Sequence, residues 1–164
     1  MESKAKLAGH PIHPMLVVFP LGLFATSLIF DLIRLFSTNG IWSVVSEYMI
    51  GAGIIGGLIA AVFGTIDWVA IPQNTRAKNI GLWHGGGNVV VTGLFVASWL
   101  LRRATPADPP AAAMILSAVA VVLALGTGWL GGELVDRLGV GVDEGANLNA
   151  PSSLGAHASH RKVA

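Results

Sequence analysis

Hydrophobic residues along the chain fall into four long runs, and short polar segments separate the runs. A helix that crosses a membrane needs about 20 mostly apolar residues, because the hydrocarbon core is roughly 30 Å thick. The runs predict spans at about residues 15–35, 48–70, 84–101 and 111–134. The first run is too long for the apolar part of a signal peptide, and no small-x-small cleavage site follows it, so we interpret it as a retained helix.

The tryptophans and the connections predict how these spans are arranged. Indole rings prefer the membrane–water interface, and all five tryptophans lie near the ends of the predicted spans: Trp42, Trp68, Trp83, Trp99 and Trp129. Short links make consecutive helices antiparallel neighbours. The sequence therefore predicts an all-α, up-down four-helix membrane bundle over residues 1–143. A Gly-, Ala-, Asn- and Ser-rich flexible tail is predicted over residues 144–164.

Composition supports a membrane location and excludes several kinds of site. Charged residues make up 12% of the 164-residue chain, about half of the usual share in soluble domains. A net charge of +1 gives no field that would gather nucleic acid, and the absence of cysteine excludes disulfides and cysteine-held iron–sulfur clusters. Five lysines and arginines near the face of the termini, against three opposite, favour a cytoplasmic location of both termini.

Polar residues from distant parts of the chain meet at one end of this predicted bundle. The face that holds both termini collects His10, His13, Asp67, His84, Glu133 and Asp136. A small-residue stripe over residues 53–64 of the second span predicts that Asp67 faces the bundle. In the third span, His84, Asn88 and Thr92 share one helical face, which favours contact with protein or water over lipid.

Four sequence motifs resemble those of a bacterial family of predicted four-helix membrane proteins of unknown function. The family's opening is similar to His10-Pro11-Ile12-His13-Pro14, and its second-helix ending to residues 64–68. Trp83-His84 resembles its third-helix start, and residues 131–142 resemble its last motif, so the likeness covers residues 9–143. Some relatives carry an attached Rieske-type domain. The resemblance therefore implies the four-helix architecture and electron transfer.

The histidine end of the predicted bundle suggests a cofactor. Two facing imidazoles beside small residues suit haem b, so His13 and His84 are the candidate ligands, with His10 as a further candidate. A non-haem metal ion would instead use His13, His84 and Asp67; in the haem interpretation Asp67 orients a histidine. Either site, haem or non-haem metal, predicts a redox module that exchanges electrons with a partner.

Other functions remain open at this point. A structural or accessory subunit of a larger membrane complex would need no cofactor, and its histidines would only form hydrogen bonds. A proton channel or transporter is a third possibility, which the lack of an evident internal repeat disfavours. Asp67 could also bind Trp83, His84 or Arg76 to join the second and third spans. Nothing in the sequence indicates a nucleophilic enzyme.

The remaining charged residues are expected to have structural roles. Asp31 and Arg34 are spaced i, i+3 on one helix and are expected to form an ion pair. Arg102 and Arg103 are expected to anchor the third span at the membrane surface.

Overall fold

The computed structural model describes residues 1–154, and these residues form a bundle of long helices. The first span consists of helices α1 (Ile12–Leu16) and α2 (Val18–Leu35). Helices α3 (Ile41–Ala70), α4 (Arg76–Arg102) and α5 (Ala111–Gly132) follow, and α5 continues as a π-helical turn, Glu133–Arg137. A short hairpin of β1 (Lys6–Leu7) and β2 (His10–Pro11) precedes them. Within residues 1–154, four helical segments are long and apolar enough to cross a membrane, which confirms the predicted all-α fold.

The helices extend further than the hydropathy pattern indicates. Helix α3 begins at Ile41, and its first turns bury Ser43, Ser46 and Glu47, which the sequence had placed in a connecting segment. The connections therefore shorten to residues 36–40, 71–75 and 103–110. Polar residues at a helix end are compatible with a span when they face protein, because their partners then come from neighbouring helices.

Proline interrupts the first span, as its chemistry requires. Helix α1 ends at Leu16 and α2 begins at Val18, so the break lies one turn before Pro20. Pro20 has no N–H to donate to the carbonyl four residues earlier. Its ring packs beside Gly56 and Gly57 of α3, where a methyl group would already be in van der Waals contact.

The bundle consists of two helical hairpins that pack side by side. Helices α2 and α3 form the first hairpin, residues 12–70, and α4 and α5 form the second, residues 76–137; each pair is in extensive contact. Large side chains of α2 and α4 meet across the centre of the bundle, where Phe24 stacks on Phe95 with ring centroids 3.8 Å apart. Ile50, Val91 and Ala120 complete this buried core.

The two hairpins repeat the same buried pattern, which the sequence analysis missed. In the first helix of each hairpin, buried or inward-facing residues recur 71 positions apart: His13 and His84, Phe24 and Phe95, Ser27 and Ser98, Asp31 and Arg102. The tripeptide Gly-Leu-Phe occurs in both helices, at residues 22–24 and 93–95. In the second helices the offset is 67 positions, and buried residues 46, 50, 53 and 60 correspond to buried residues 113, 117, 120 and 127.

This repeat corrects the prediction that the chain has none. The two hairpins correspond at only about one residue per helical turn. These are the inward-facing positions, whereas the lipid-facing positions of the two hairpins hold different apolar residues. Helix directions alternate along the chain, so both hairpins run the same way and are related by an approximate twofold axis parallel to the helices. Counterpart residues that touch must lie near this axis. They form three layers there: the histidines, the phenylalanines and the Asp31–Arg102 pair.

Candidate functional site

The histidine layer brings together the two residues that the sequence analysis selected as ligands. His13 in α1 and His84 in α4 have ring centroids 6.2 Å apart and ring planes at 90°. Both side chains are partly buried. The predicted meeting of two imidazoles at one end of the bundle is therefore present in the structure.

Each imidazole is fixed by a backbone carbonyl of its own hairpin. Nδ1 of His13 lies 2.9 Å from the Ala60 carbonyl oxygen, and Nδ1 of His84 lies 2.8 Å from the Thr127 carbonyl oxygen. A carbonyl only accepts hydrogen bonds, so Nδ1 carries the proton in both rings. In the neutral form, Nε2 is then the basic nitrogen of each ring.

A glycine one helical turn beyond each carbonyl makes room for the ring. A Cβ atom at Gly64 would lie 2.8 Å from Cε1 of His13, and one at Gly131 would lie 3.0 Å from Cε1 of His84. Any larger residue would push the imidazole away from its carbonyl. The same device of histidine, carbonyl and glycine thus occurs once in each hairpin.

The polar stripe predicted on α4 continues from His84 toward the core. The Asn88 side chain donates to the His84 carbonyl at 2.8 Å, and its nitrogen lies 3.5 Å from Nε2 of His84. The Thr127 hydroxyl donates to the Asn88 side-chain oxygen at 3.1 Å. His84 and Asn88 therefore face α5 inside the protein, whereas the Thr92 hydroxyl lies toward Gly57 of α3. The Phe24–Phe95 stack closes the core beyond the stripe.

Asp67 does not join the histidines. Its carboxylate accepts hydrogen bonds from the Ser3 hydroxyl at 2.8 and 2.9 Å, and from the backbone N–H groups of Lys4 at 2.7 Å and Ala5 at 3.3 Å. It therefore binds the N-terminal strap, defined here as residues 1–11. The expected bonds to Trp83, His84 or Arg76 are not formed; Arg76 pairs instead with Glu133 at 2.5 Å.

The three-residue metal site expected from His13, His84 and Asp67 is consequently not assembled. Over residues 1–154, no group of three or more histidine, aspartate and glutamate side chains is placed to share a metal ion. His10 is exposed on β2 and lies 3.3 Å from the Ser153 hydroxyl, away from the histidine layer. The physical reason is local: Asp67 finds three donors in the strap, whereas each histidine has a carbonyl in its own hairpin.

The glycines that follow His84 have two different environments. Gly85 and Gly86 face open space, whereas a Cβ atom at Gly87 would lie 2.5 Å from the Thr127 side chain. Only Gly87 is therefore required for close helix packing.

The N-terminal strap is tied to residues 139–143 at this face. The Met1 ammonium donates to the Gly139 carbonyl at 2.9 Å, and the Gly141 N–H donates to the Met1 carbonyl at 2.8 Å. Lys6 pairs with Glu2 at 3.0 Å and with Asp143. The hydrogen bond from Lys6 lowers the pKa of the Glu2 carboxyl, and the hydrogen bond to Asp143 raises the pKa of the Lys6 ammonium.

Residues at the far end of the predicted tail lie outside the described part of the chain. Residues 144–154 are exposed along their whole length. The rest of the predicted tail, residues 155–164, includes His157 and His160.

The opposite end of the axis holds a buried ion pair that the sequence analysis did not predict. The Arg102 guanidinium is fully buried and binds both oxygens of Asp31, at 2.7 and 2.6 Å. Its other three N–H groups donate to the hydroxyls of Ser98 at 3.2 Å, Ser46 at 3.4 Å and Ser117 at 3.2 Å. All five guanidinium donors therefore have an acceptor.

Two sequence predictions are corrected at this end. Asp31 does not pair with Arg34, which donates instead to Asp108 at 3.0 Å and to the Ser37 carbonyl at 2.7 Å. Arg102 is not a surface anchor; Arg103 alone keeps an exposed guanidinium. A carboxylate in the bundle interior needs a partner that shares its buried position, and Arg102 supplies it. The 71-residue spacing of Asp31 and Arg102 was the sequence signal that could have found the pair.

Comparison with known proteins agrees with this architecture. Residues 9–144 match the model of a family described as a predicted membrane protein, DUF2231. The chain belongs to DUF2231. No curated protein and no solved structure matches the chain. Membership of DUF2231 supports the membrane location, and the matched residues contain the two hairpins and the complete histidine layer.

Proposed function

We propose that this protein is a small membrane redox module that holds one metal centre between His13 and His84. The observation that supports this function is the anchored histidine pair, in which each Nδ1 is held by a backbone carbonyl. Metal-binding histidines commonly donate their other ring N–H to a carbonyl, which fixes the ring and raises its basicity. Both rings of this pair have that arrangement.

The separation of the rings supports the binding of one metal by both imidazoles. With metal–nitrogen bonds of about 2.0–2.1 Å, two such imidazoles have ring centroids roughly 6 Å apart. The centroids of His13 and His84 are 6.2 Å apart. His13 and His84 would hold haem b or a bare transition-metal ion, either of which would supply electron transfer, and a bare ion would need further ligands from water or a partner.

The surroundings of the pair favour electron transfer over substrate conversion. The Phe24–Phe95 stack closes the core below the histidine layer, and the strap is bound at the same end of the bundle. A metal centre there would exchange electrons with a redox partner near the membrane surface. We further propose that this is the cytoplasmic face of a bacterial inner membrane, following the excess of lysine and arginine there.

A second candidate function is an accessory subunit of a larger membrane complex that binds no cofactor. Two observations favour it: the rings pack edge to face with their Nδ1 atoms already bonded, and no third ligand accompanies them within the described residues. In that case the histidine layer would only hold the two hairpins together. The two candidates differ in whether Nε2 of each ring binds a metal.

Absorption spectroscopy and metal analysis of the purified protein separate the two functions. We expect the wild type to carry haem with a Soret band, or one equivalent of a transition metal, after purification in mild detergent. His13→Ala and His84→Ala should each lose it, whereas His10→Ala, which changes an exposed histidine at the same end, should retain it. A folded wild-type protein without haem or metal after reconstitution with either would overturn the redox function and favour the accessory subunit.

A further inference from the structure

A polar groove lies at the ion-pair end of the bundle, on the side away from the histidine layer. Val44, Glu47 and Tyr48 of α3 line it on one side, and Arg103, Pro106 and Ala107 line it on the other. Its volume is about 470 Å³, within the range of small-molecule sites. It contains an acidic, a basic and a phenolic side chain, none of which belongs to the histidine site.

Glu47 is the unusual residue in this groove. Its side chain is only 8% exposed, and within residues 1–154 no donor makes a hydrogen bond to its carboxylate. The nearest cation is the Arg103 guanidinium, 3.6 Å away, which is longer than a charge-assisted hydrogen bond. The side chain is therefore largely shielded, but its oxygens still reach the groove, so a donor bound there would supply the hydrogen bonds that the described residues do not.

Arg103 is placed to bind an anion from the same groove. Its side chain is 61% exposed, and its guanidinium lies over the Trp99 ring at 4.8 Å from the centroid. Stacking on an aromatic face holds the guanidinium plane while leaving its N–H groups free to donate. The groove therefore presents a carboxylate and an available guanidinium next to each other.

The depth of the groove matches the level of lipid headgroups. Helix α3 has 30 residues, so it is about 45 Å long and exceeds the roughly 30 Å hydrocarbon core. Glu47 lies about 9 Å from the start of this helix, at a rise of 1.5 Å per residue. Tyr48 and Trp99 beside it are residues that prefer the membrane interface.

We propose that this groove binds the headgroup of a phospholipid with a primary ammonium, such as phosphatidylethanolamine. Its ammonium would donate hydrogen bonds to the Glu47 carboxylate, and its phosphate would accept from Arg103. The positive and negative groups of the headgroup then lie next to the oppositely charged side chains of Glu47 and Arg103. A quaternary ammonium has no N–H to donate, so phosphatidylcholine would leave Glu47 without a hydrogen bond.

Native mass spectrometry of the purified protein in defined lipid mixtures tests this proposal. With equal amounts of phosphatidylethanolamine and phosphatidylcholine of the same acyl chains, we expect wild type to retain the former roughly tenfold more, since hydrogen bonds to a charged group give such discrimination. Glu47→Gln should bring this ratio close to one. Arg103→Gln should weaken retention of both lipids, because both carry the phosphate.

The matched control is Arg76→Gln, which removes an exposed arginine at the opposite end of the bundle, where it pairs with Glu133. It should keep the wild-type ratio. Equal retention of the two lipids by wild type would overturn the proposal, as would an unchanged ratio in Glu47→Gln. Preferential retention of phosphatidylglycerol over both lipids would also overturn it, because that headgroup has no cation for Glu47.

Discussion

The two ends of the central axis differ in what their counterpart residues do for each other. At one end the counterparts are identical, and His13 and His84 each bond to a backbone carbonyl rather than to one another. At the other end they are opposite charges, and Asp31 and Arg102 bind each other directly. Identical residues leave bonding capacity for a third group, whereas complementary residues use it up. On the axis itself, the histidine pair is thus suited to a ligand, whereas the Asp31–Arg102 pair serves stability.

The largest effect should come from breaking the ion pair. Asp31→Ala leaves the fully buried Arg102 guanidinium without its carboxylate, so we expect a loss of about 3–5 kcal/mol in the free energy of unfolding. The double variant Asp31→Leu/Arg102→Met should recover most of it, because no buried charge remains. Unfolding in mixed detergent micelles measures both. Arg34→Gln, at a pair whose aspartate is 88% exposed, should cost less than about 1 kcal/mol; an equal cost would contradict this comparison.

At the histidine end we expect an intermediate effect from the two glycines. Gly64→Ala and Gly131→Ala each add a methyl group against an imidazole, which should destabilise the protein by about 1–3 kcal/mol. Gly64→Ala should cost more, because its Cβ atom would lie 2.8 Å from the ring against 3.0 Å at Gly131. Gly22→Ala is the control, since its Cβ atom meets nothing within 4 Å. The same unfolding assay ranks the three variants, and a Gly131→Ala protein as stable as Gly22→Ala would contradict the close packing.

A smaller and local effect should follow when the strap is released. Asp67→Ala removes the acceptor of the Lys4 and Ala5 amides, and the loss of hydrogen bonds to a charged group corresponds to roughly tenfold faster amide exchange. Hydrogen–deuterium exchange of residues 3–5 measures it. Thr65→Ala, which loses only a bond to the carbonyl of Ala61 in its own helix, should leave this exchange unchanged. Unaltered exchange in Asp67→Ala would mean that other contacts hold the strap.

The smallest effect should be the pH dependence of the strap. The pKa of Glu2 is lowered by Lys6, so this contact stabilises the strap above the ordinary carboxyl pKa and is lost as pH falls through the lowered value. The pKa of Lys6 is raised by Asp143, so its contribution is present below the ordinary lysine pKa and is lost as pH rises through the raised value. Lys6→Gln should flatten both edges of the exchange profile of residues 1–6, and an unchanged acidic edge would contradict the Glu2 contact.

The spans and the histidine pair could be predicted because each follows from a single simple pattern in the sequence. A run of apolar residues has few alternatives to a membrane helix, and alternating helix directions bring His13 and His84 to one face. The partners of Asp67 and Asp31 could not be predicted by proximity in sequence. Asp67 binds backbone N–H groups of the strap, and residue type gives no sign of such a bond because nearly every residue has an N–H. Asp31 binds a residue 71 positions away.

The repeat is hard to see in the sequence because the two hairpins match at only a minority of positions. Gly-Leu-Phe and the serines of residues 27 and 98 are shared, but the lipid-facing residues between them are exchanged for other apolar residues at no cost. Searching for similarity at the inward positions alone, about one in four along each helix, would have found the 71-residue offset.

The approximate twofold axis has one more consequence, which concerns covalent linkage. Two separate copies of one hairpin would place identical residues opposite each other on the axis, as any isologous contact does. Aspartate would then face aspartate, or arginine would face arginine, inside a membrane. Because the two hairpins are parts of one polypeptide, they can differ, and Asp31 can face Arg102. The fused chain thus holds a charge-neutral pair at a place where a homodimer of either half would bury two like charges.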